Sequence, residues 1–462
     1  QHPVFGFGGV AAGFRGRREE HGWDPWYYGM HYANLDNVPE AREKSYTFAR
    51  IPTPSHTEAA SFFDVTRPPY SATGEGEQDD TASIQRALRA AGARGGGTVY
   101  LPQGEYRLTQ PLVVPPGVEL RGPLGTGKVR EHRETCSLAV YCGRGTANPE
   151  TDPAALTLMD HAGVRGLTLV YPEQAYEATQ LQPFPYSIRG SGTGVWVADV
   201  HLLNAYHGID LATHRCDEHV VVGVWGTAFC KGIDVGGNSR GGKLERIAFS
   251  YGPWTEAGRL GSRRTEAGKA AIADFCRQHS VHYSFGDCVG ETAWGLVGFY
   301  PKTHCHFYRD KGRGCVDAEL WLSMHDVADA ANVQADSGEN IHLLGYFGTG
   351  GRDGKHNWLE VGPEFRGPLH VYARTIQQTF LNHPMQFAPE QVRFNDEVSL
   401  TTAKPATASD TTPGSSPANA VDRDPRTVWE APAGSYLQVD LGGVRAVRNK
   451  RCLNPPPRFC FS

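Results

Sequence analysis

Two short strings, Gly208-Ile209-Asp210-Leu211 and Gly232-Ile233-Asp234-Val235, stand 24 residues apart and put a carboxylate at matching positions. Successive strand residues face opposite sides, so if glycine turns the chain and Ile209 and Ile233 face a core, Asp210 and Asp234 share the outer face of neighbouring coils. Cleaving a glycosidic bond takes two carboxyl groups roughly 5 to 9.5 Å apart, one to protonate the leaving oxygen and one to activate water or attack. Asp210 and Asp234 are therefore the first candidates for acid and base. Asp217, Asp287 and Asp326 are the other acids near coil ends, and Asp326, preceded by His325, joins the catalytic set. The competing reading for each is a solvated surface aspartate.

His207 stands next to the first Gly-Ile-Asp string and could orient a carboxylate, although a lone histidine is more often simply hydrogen-bonded. Trp196, Tyr206, Trp225 and Trp294 offer flat apolar faces for stacking sugar rings, and core burial is the alternative for each. His304-Cys305-His306 has no fourth partner nearby for a metal, and Gly125-Thr126-Gly127-Lys128 lacks the spacing of a phosphate loop. No cofactor is expected; calcium has no supporting motif.

The elements that must position these residues are short strands. Gly166-Leu167-Thr168-Leu169-Val170, Gly194-Val195-Trp196-Val197 and Val200-His201-Leu202-Leu203-Asn204 precede the repeated string, and a 24-residue spacing is that of a solenoid. Trp254 to Ser280, with a helix over 265–278, reads as an insertion. Strand-like segments resume at Trp294 and continue to Phe394.

Upstream, Asp79-Asp80-Thr81 leads into a helix over 82–93 with Ile84, Ala87, Leu88 and Ala91 on one face and Asp80 or Thr81 as N-cap, followed by Gly95-Gly96-Gly97-Thr98-Val99-Tyr100-Leu101-Pro102. From Phe62 to Gly122 this order resembles the opening of pectate-lyase-superfamily proteins. The resemblance implies an all-β, right-handed parallel β-helix whose N-terminal helix caps the open strand edges. It is silent on substrate, since that superfamily spans glycosidases, lyases, epimerases and tailspikes. Motifs of the polygalacturonases and of the calcium-dependent pectate lyases are not intact here; Tyr206-His207-Gly208 only echoes one of them.

Residues 398–462 change character. Pro417-Ala418-Asn419-Ala420-Val421-Asp422 and Tyr436-Leu437-Gln438-Val439-Asp440-Leu441-Gly442 resemble the first third of a discoidin, or factor 5/8 C-type, module, with Arg423 where that family's turn carries glycine. The expected division is an irregular arm at 1–60, the β-helix at 61–397 and a partial discoidin-like β-sandwich at 398–462.

Lys+Arg 45 against Asp+Glu 50 in 462 residues gives a net charge of -5, which argues against nucleic acid as a partner. No run approaches the roughly 18 apolar residues of a membrane span. The ten cysteines include no CxxC pair; disulfides and buried thiols both remain open. Together these features lead to the expectation of a secreted glycoside hydrolase acting on a polysaccharide or oligosaccharide. A lyase acting by β-elimination on a uronate polymer and a non-catalytic adhesin or tailspike-like glycan binder are the alternatives. Oligomeric state is not legible.

Overall fold

The computed structural model describes residues 46–123, 136–177, 179, 181–326, 331–344, 347–348, 357–372, 385–388, 391–394, 406–420, 432, 436–439 and 458–461. Most of the 1–60 arm, the 125–128 string and Arg423 lie outside them. Among the described residues, 31 strands form one continuous sheet, and each strand pairs in parallel with its counterparts in the coils before and after. Three main faces result, with a short further stack at Ser239–Arg240, Cys288–Val289 and Cys315–Val316, which makes the fold a parallel β-helix.

The first face includes Phe62–Asp64, Gly97–Tyr100, Val118–Arg121, Gly163–Arg165, Trp196–Ala198 and Val220–Val222. The second includes Glu75–Asp79, Gly104–Leu108, Cys136–Val140 and Thr168–Val170. The third includes Leu112–Val114, Leu156–Leu158 and Tyr186–Gly190, and later Val281–Phe285 and Thr303–Phe307. A single left-handed residue turns the chain from first face to second in successive coils: Gly166, Asp199, Gly223, Arg246, Gly295 and Leu322 all have φ between 49° and 69°. Glycine suits that column because it carries no Cβ penalty there.

His201–Leu211 and Trp225–Val235 are each one 11-residue strand running from the second face into the third, with register shifts between Leu202 and His207. Gly208 and Gly232 therefore lie within strands and turn nothing, contrary to the sequence expectation. Neither has positive φ. They are glycine because the next coil comes too close: a Cβ on Gly208 would meet the Gly232 carbonyl oxygen at 2.2 Å, and one on Gly232 the His282 carbonyl oxygen at 2.3 Å.

Inside the third face Leu156, Ile188, Ile209, Ile233, Tyr283, Cys305, Val333 and Leu359 stack in register and are buried. This column is the apolar driving force for stacking coils. The helix Thr81–Ala93 buries Ile84, Ala87, Leu88 and Ala91 against strands of the opening coils. Its N-cap side chain does other work: Asp80 accepts from the Thr73 and Gly74 amides, at 2.7 and 3.1 Å, and ties down the preceding turn.

The insertion holds a helix at Glu266–His279, N-capped by Thr265, which accepts from the Gly268 amide. Trp254, Leu260, Ile272 and Cys276 pack on Val170, Leu203 and Phe229, covering the outside of the second face. Cys136, Cys216, Cys276, Cys288 and Cys315 are buried thiols. Beyond the coils, Ala406–Ala408, Tyr436–Val439 and Arg458–Phe461 form a separate three-stranded sheet, antiparallel then parallel. No helix among the described residues is long and apolar enough to cross a membrane.

Gly163 tests the packing between coils, because a Cβ there would meet the Trp196 ring at 2.0 Å. Gly163→Ala is expected to destabilise the protein by about 1–3 kcal/mol, read as a lower denaturant midpoint.

Candidate functional site

Opposite the apolar column, the outward positions of the third face form a second in-register column. It runs Thr157, Arg189, Asp210, Asp234, Ser284, His306, Gln334 and Glu360. Asp210 and Asp234 are thus directly paired on neighbouring coils, one strand spacing of about 4.8 Å apart. Their surroundings separate them.

Asp210 is 2% exposed and both its oxygens are engaged. Oδ1 accepts from the Ala212 and Thr213 amides, each at 2.9 Å, and Oδ2 from Arg189 Nε at 2.5 Å. The rest of the Arg189 guanidinium donates to the carbonyls of Glu150, Thr151 and Asp152. Asp210 therefore fixes Arg189, and Arg189 fixes the 150–152 loop; three hydrogen bonds and 2% exposure turn this carboxylate to structural use.

Asp234 is held differently. Tyr308 donates to Oδ1 at 2.8 Å, Tyr186 donates to Oδ2 at 3.2 Å, and Lys231 Nζ lies 3.4 Å from Oδ2. Burial pushes its pKa above the usual carboxylate range and the Asp210 charge adds to this, while Lys231 and the Tyr308 hydrogen bond oppose it. Lys231 is itself raised, since its two carboxylate neighbours outweigh its burial. Burial thus dominates at the carboxyl group and charge pairing at the ammonium. Tyr186 and Tyr308 are both pushed up, first by burial and then by the Asp234 charge, so each remains a phenol donor.

Lys231 also reaches Glu150 Oε1 at 3.1 Å, and the Glu150 side chain is 59% exposed. One ammonium therefore bridges a buried carboxyl group and an exposed one. The two carboxyl oxygens can lie no further apart than the sum of those two contacts, an upper limit that reaches the lower part of the roughly 5–9.5 Å range that glycosidases use. His207 stacks on Tyr186, rings 5.0 Å apart, and burial with Lys231 pushes its pKa down to about 3, so the ring is neutral.

The remaining candidates from the sequence lie apart from this cluster, except that the Tyr206 ring meets His207 edge-on at 4.9 Å. Trp196 is 1% exposed and packed over Gly163, so no sugar can stack on it. Trp225 lies on the second face, stacked on His201 with centroids 3.6 Å apart. Trp294 is on the first face, covered by Tyr46 and Phe48 at 5.0 and 4.9 Å. Tyr206 is wedged at the corner between the coil core and the insertion. Asp326 and His325 pair with Phe299 and Gly298 on the second face; their side chains lie outside the described residues. Asp217 is taken by Arg215 in a surface ion pair, and Asp287 sits in a bend. In the His304-Cys305-His306 string Cys305 turns into the core, so the three do not converge, and no group of three or more metal-ligating side chains occurs among the described residues.

Lys231, Tyr186, Tyr308, Arg189 and Glu150 escaped the sequence reading. Lys231 had a signal, standing three residues before Asp234. The others come from coils and a loop with no shared spacing.

Residues 62–132 match the family described as rhamnogalacturonase A/epimerase, pectate lyase-like. Over 40 residues the chain is 62% identical to mannuronan C5-epimerase AlgE3 of Azotobacter vinelandii, which covers 9% of this chain and 2% of that protein. Alginate lyase 7 of the same organism is 58% identical over 40 residues, 9% of this chain and 5% of that one. The chain thus matches only a few per cent of the length of these curated relatives. Among solved structures it is similar to an exopolygalacturonase from Thermotoga maritima, with TM-score 0.40 and 12% identity over 70% of this chain and 87% of the other. It is also similar to a DFA-IIIase from Arthrobacter chlorophenolicus A6, with TM-score 0.44 and 12% identity over 68% and 81%. The opening coils accordingly resemble a pectate lyase-like family model, and the parallel β-helix rests on this chain's own strand register.

Two outcomes follow from the electrostatics. Arg189→Ala strands the buried Asp210 carboxylate and should cost about 3–5 kcal/mol of stability, measured by chemical denaturation. Because folding raises the Asp234 pKa, protonation favours the folded state; relative to Asp234→Asn, the wild type should lose stability as pH rises from the ordinary carboxylate range through the raised folded pKa. A flat difference across a pH series would contradict it.

Proposed function

We propose that this protein is a glycoside hydrolase that cleaves a polysaccharide lying along the third face of a right-handed β-helix capped by the helix Thr81–Ala93. The observation that carries the reading is the Lys231 bridge between Asp234 and Glu150. A buried carboxyl group with raised pKa suits a general acid, and an exposed one beside an ammonium suits a base; pushing two carboxyl groups into unlike environments assigns those roles. Asp234 gives its proton to the glycosidic oxygen as the C–O bond breaks. Glu150 takes a proton from the attacking water, whose oxygen bonds to the anomeric carbon. Asp210 acts through Arg189, holding the backbone that carries Glu150, and its charge adds to the rise in the Asp234 pKa.

A second reading, β-elimination on a uronate polymer, takes Lys231 as the cation for a substrate carboxylate. The short matches to mannuronan C5-epimerases and an alginate lyase point the same way. The discoidin-like segment at 398–462 fits glycan targeting under either reading.

Purified protein incubated with galactan, polygalacturonate and alginate should release reducing ends without the ultraviolet absorbance of a new carbon–carbon double bond. Asp234→Asn and Glu150→Gln should each lower kcat by about 10²–10⁴-fold. Absorbance rising with cleavage would replace hydrolysis with elimination, and unchanged rates in both variants would remove the site.

A further inference from the structure

The outward column continues past Asp234 through Ser284 to His306 and Gln334. His306 Nε2 lies 2.8 Å from Asp336 Oδ2, and Gln334 Nε2 donates to the same oxygen at 2.8 Å. The His306 hydrogen bond is the chief reason the Asp336 carboxyl stays below its usual range. The group is open to solvent, with side-chain exposures of 25% for His306 and 47% for Asp336. It is also continuous with the cleavage site: the His306 ring lies 5.6 Å from that of Tyr308, whose hydroxyl donates to Asp234.

The hydrogen-bond directions define what the group can bind. With Nε2 donating to Asp336, the Nδ1 edge of the His306 ring is left to face a ligand, as an acceptor in that tautomer. Gln334 spends an amide hydrogen on Asp336 and keeps Oε1 as a second acceptor. Two acceptors beside the flat Tyr308 ring match the hydroxyl groups of a sugar stacked on an aromatic face. The ammonium that would greet a carboxylate, Lys231, is at the other end of the strip. Two strand spacings, about 10 Å, separate His306 from Asp234 along the column, on the order of two sugar units.

We propose that His306, Gln334 and Asp336 form a sugar-binding subsite, two coils from Asp234, that recognises the hydroxyl groups of a neutral sugar ring and lets the enzyme prefer longer chains. Asp336 is the positioning residue, holding the His306 ring; His306 and Gln334 touch the sugar. The proposal rests on the reading of the third face as the polysaccharide-binding surface.

The test is His306→Ala, with Asp336→Asn and His306→Gln beside it, assayed on an oligosaccharide length series of whichever polymer the wild type cleaves. Expected is a rise in KM of about tenfold for the longer oligosaccharides, no change for the shortest, and kcat within about twofold. Asp336→Asn should give a smaller shift, and His306→Gln, which keeps an acceptor, should restore part of the affinity. An unchanged KM at every length would overturn the proposal. So would a fall in kcat at constant KM, which would place His306 at the reacting atoms.

Gel retardation by galactan, polygalacturonate and alginate separates failure of the subsite from failure of the enzyme reading, because it needs no turnover. Asp234→Asn should be retarded like the wild type, most strongly by the neutral polymer, and His306→Ala should run freely. Equal retardation of His306→Ala and wild type, or no retardation of the wild type by any polymer, would overturn the subsite even if hydrolysis were observed.

Discussion

In-register parallel pairing is the constraint from which the rest follows. Each coil sets its residues over the same positions of the coil before, about 4.8 Å away, so every side chain is stacked on its counterpart. Inside, that rewards aliphatic on aliphatic, as with Ile188, Ile209 and Ile233. Outside, it brings Asp210 and Asp234 into adjacency, which two unscreened carboxylates would resist. The neighbouring positions answer that repulsion: Arg189 stacks under Asp210 in the same column, and Lys231 flanks Asp234.

Those two cations create the asymmetry on which the proposed chemistry depends. Arg189 gives Asp210 a short charge-assisted hydrogen bond, and two backbone amides complete its coordination. Asp234 receives a longer contact from Lys231 and two phenol hydroxyls, not enough to outweigh its burial. Lys231 spends its remaining attraction on Glu150, whose backbone carbonyl is already held by Arg189. The inherited repeat thus supplies one carboxylate to build with and one to react with.

The register of the two Gly-Ile-Asp strings was legible because a solenoid repeats in sequence as it does in space, and the inward isoleucines followed from strand alternation. The helix Thr81–Ala93 and the helical insertion were legible from apolar spacing and an N-cap signal. Which wall each aromatic residue faced was not: Trp196 and Val197 are adjacent and both apolar, and only packing over Gly163 shows the tryptophan to be enclosed. Gly208 and Gly232 were misjudged because close backbone approach and a turn call for the same residue. Glu150 lies on a loop without periodicity, and Tyr186 and Tyr308 reach Asp234 from 48 and 74 residues away. The 250–279 insertion interrupts the repeat between Asp234 and Ser284, hiding the continuation of the column to His306.

The most direct measurement is a crystal structure of the Asp234→Asn variant with a bound oligosaccharide of a polymer that the protein cleaves or binds. The account predicts a chain running along the third face, with a glycosidic oxygen within hydrogen-bond reach of residue 234 and the Glu150 carboxylate on the opposite side of that linkage. An oligosaccharide bound instead on the first face near Trp294, with the Lys231 bridge undisturbed, would contradict it.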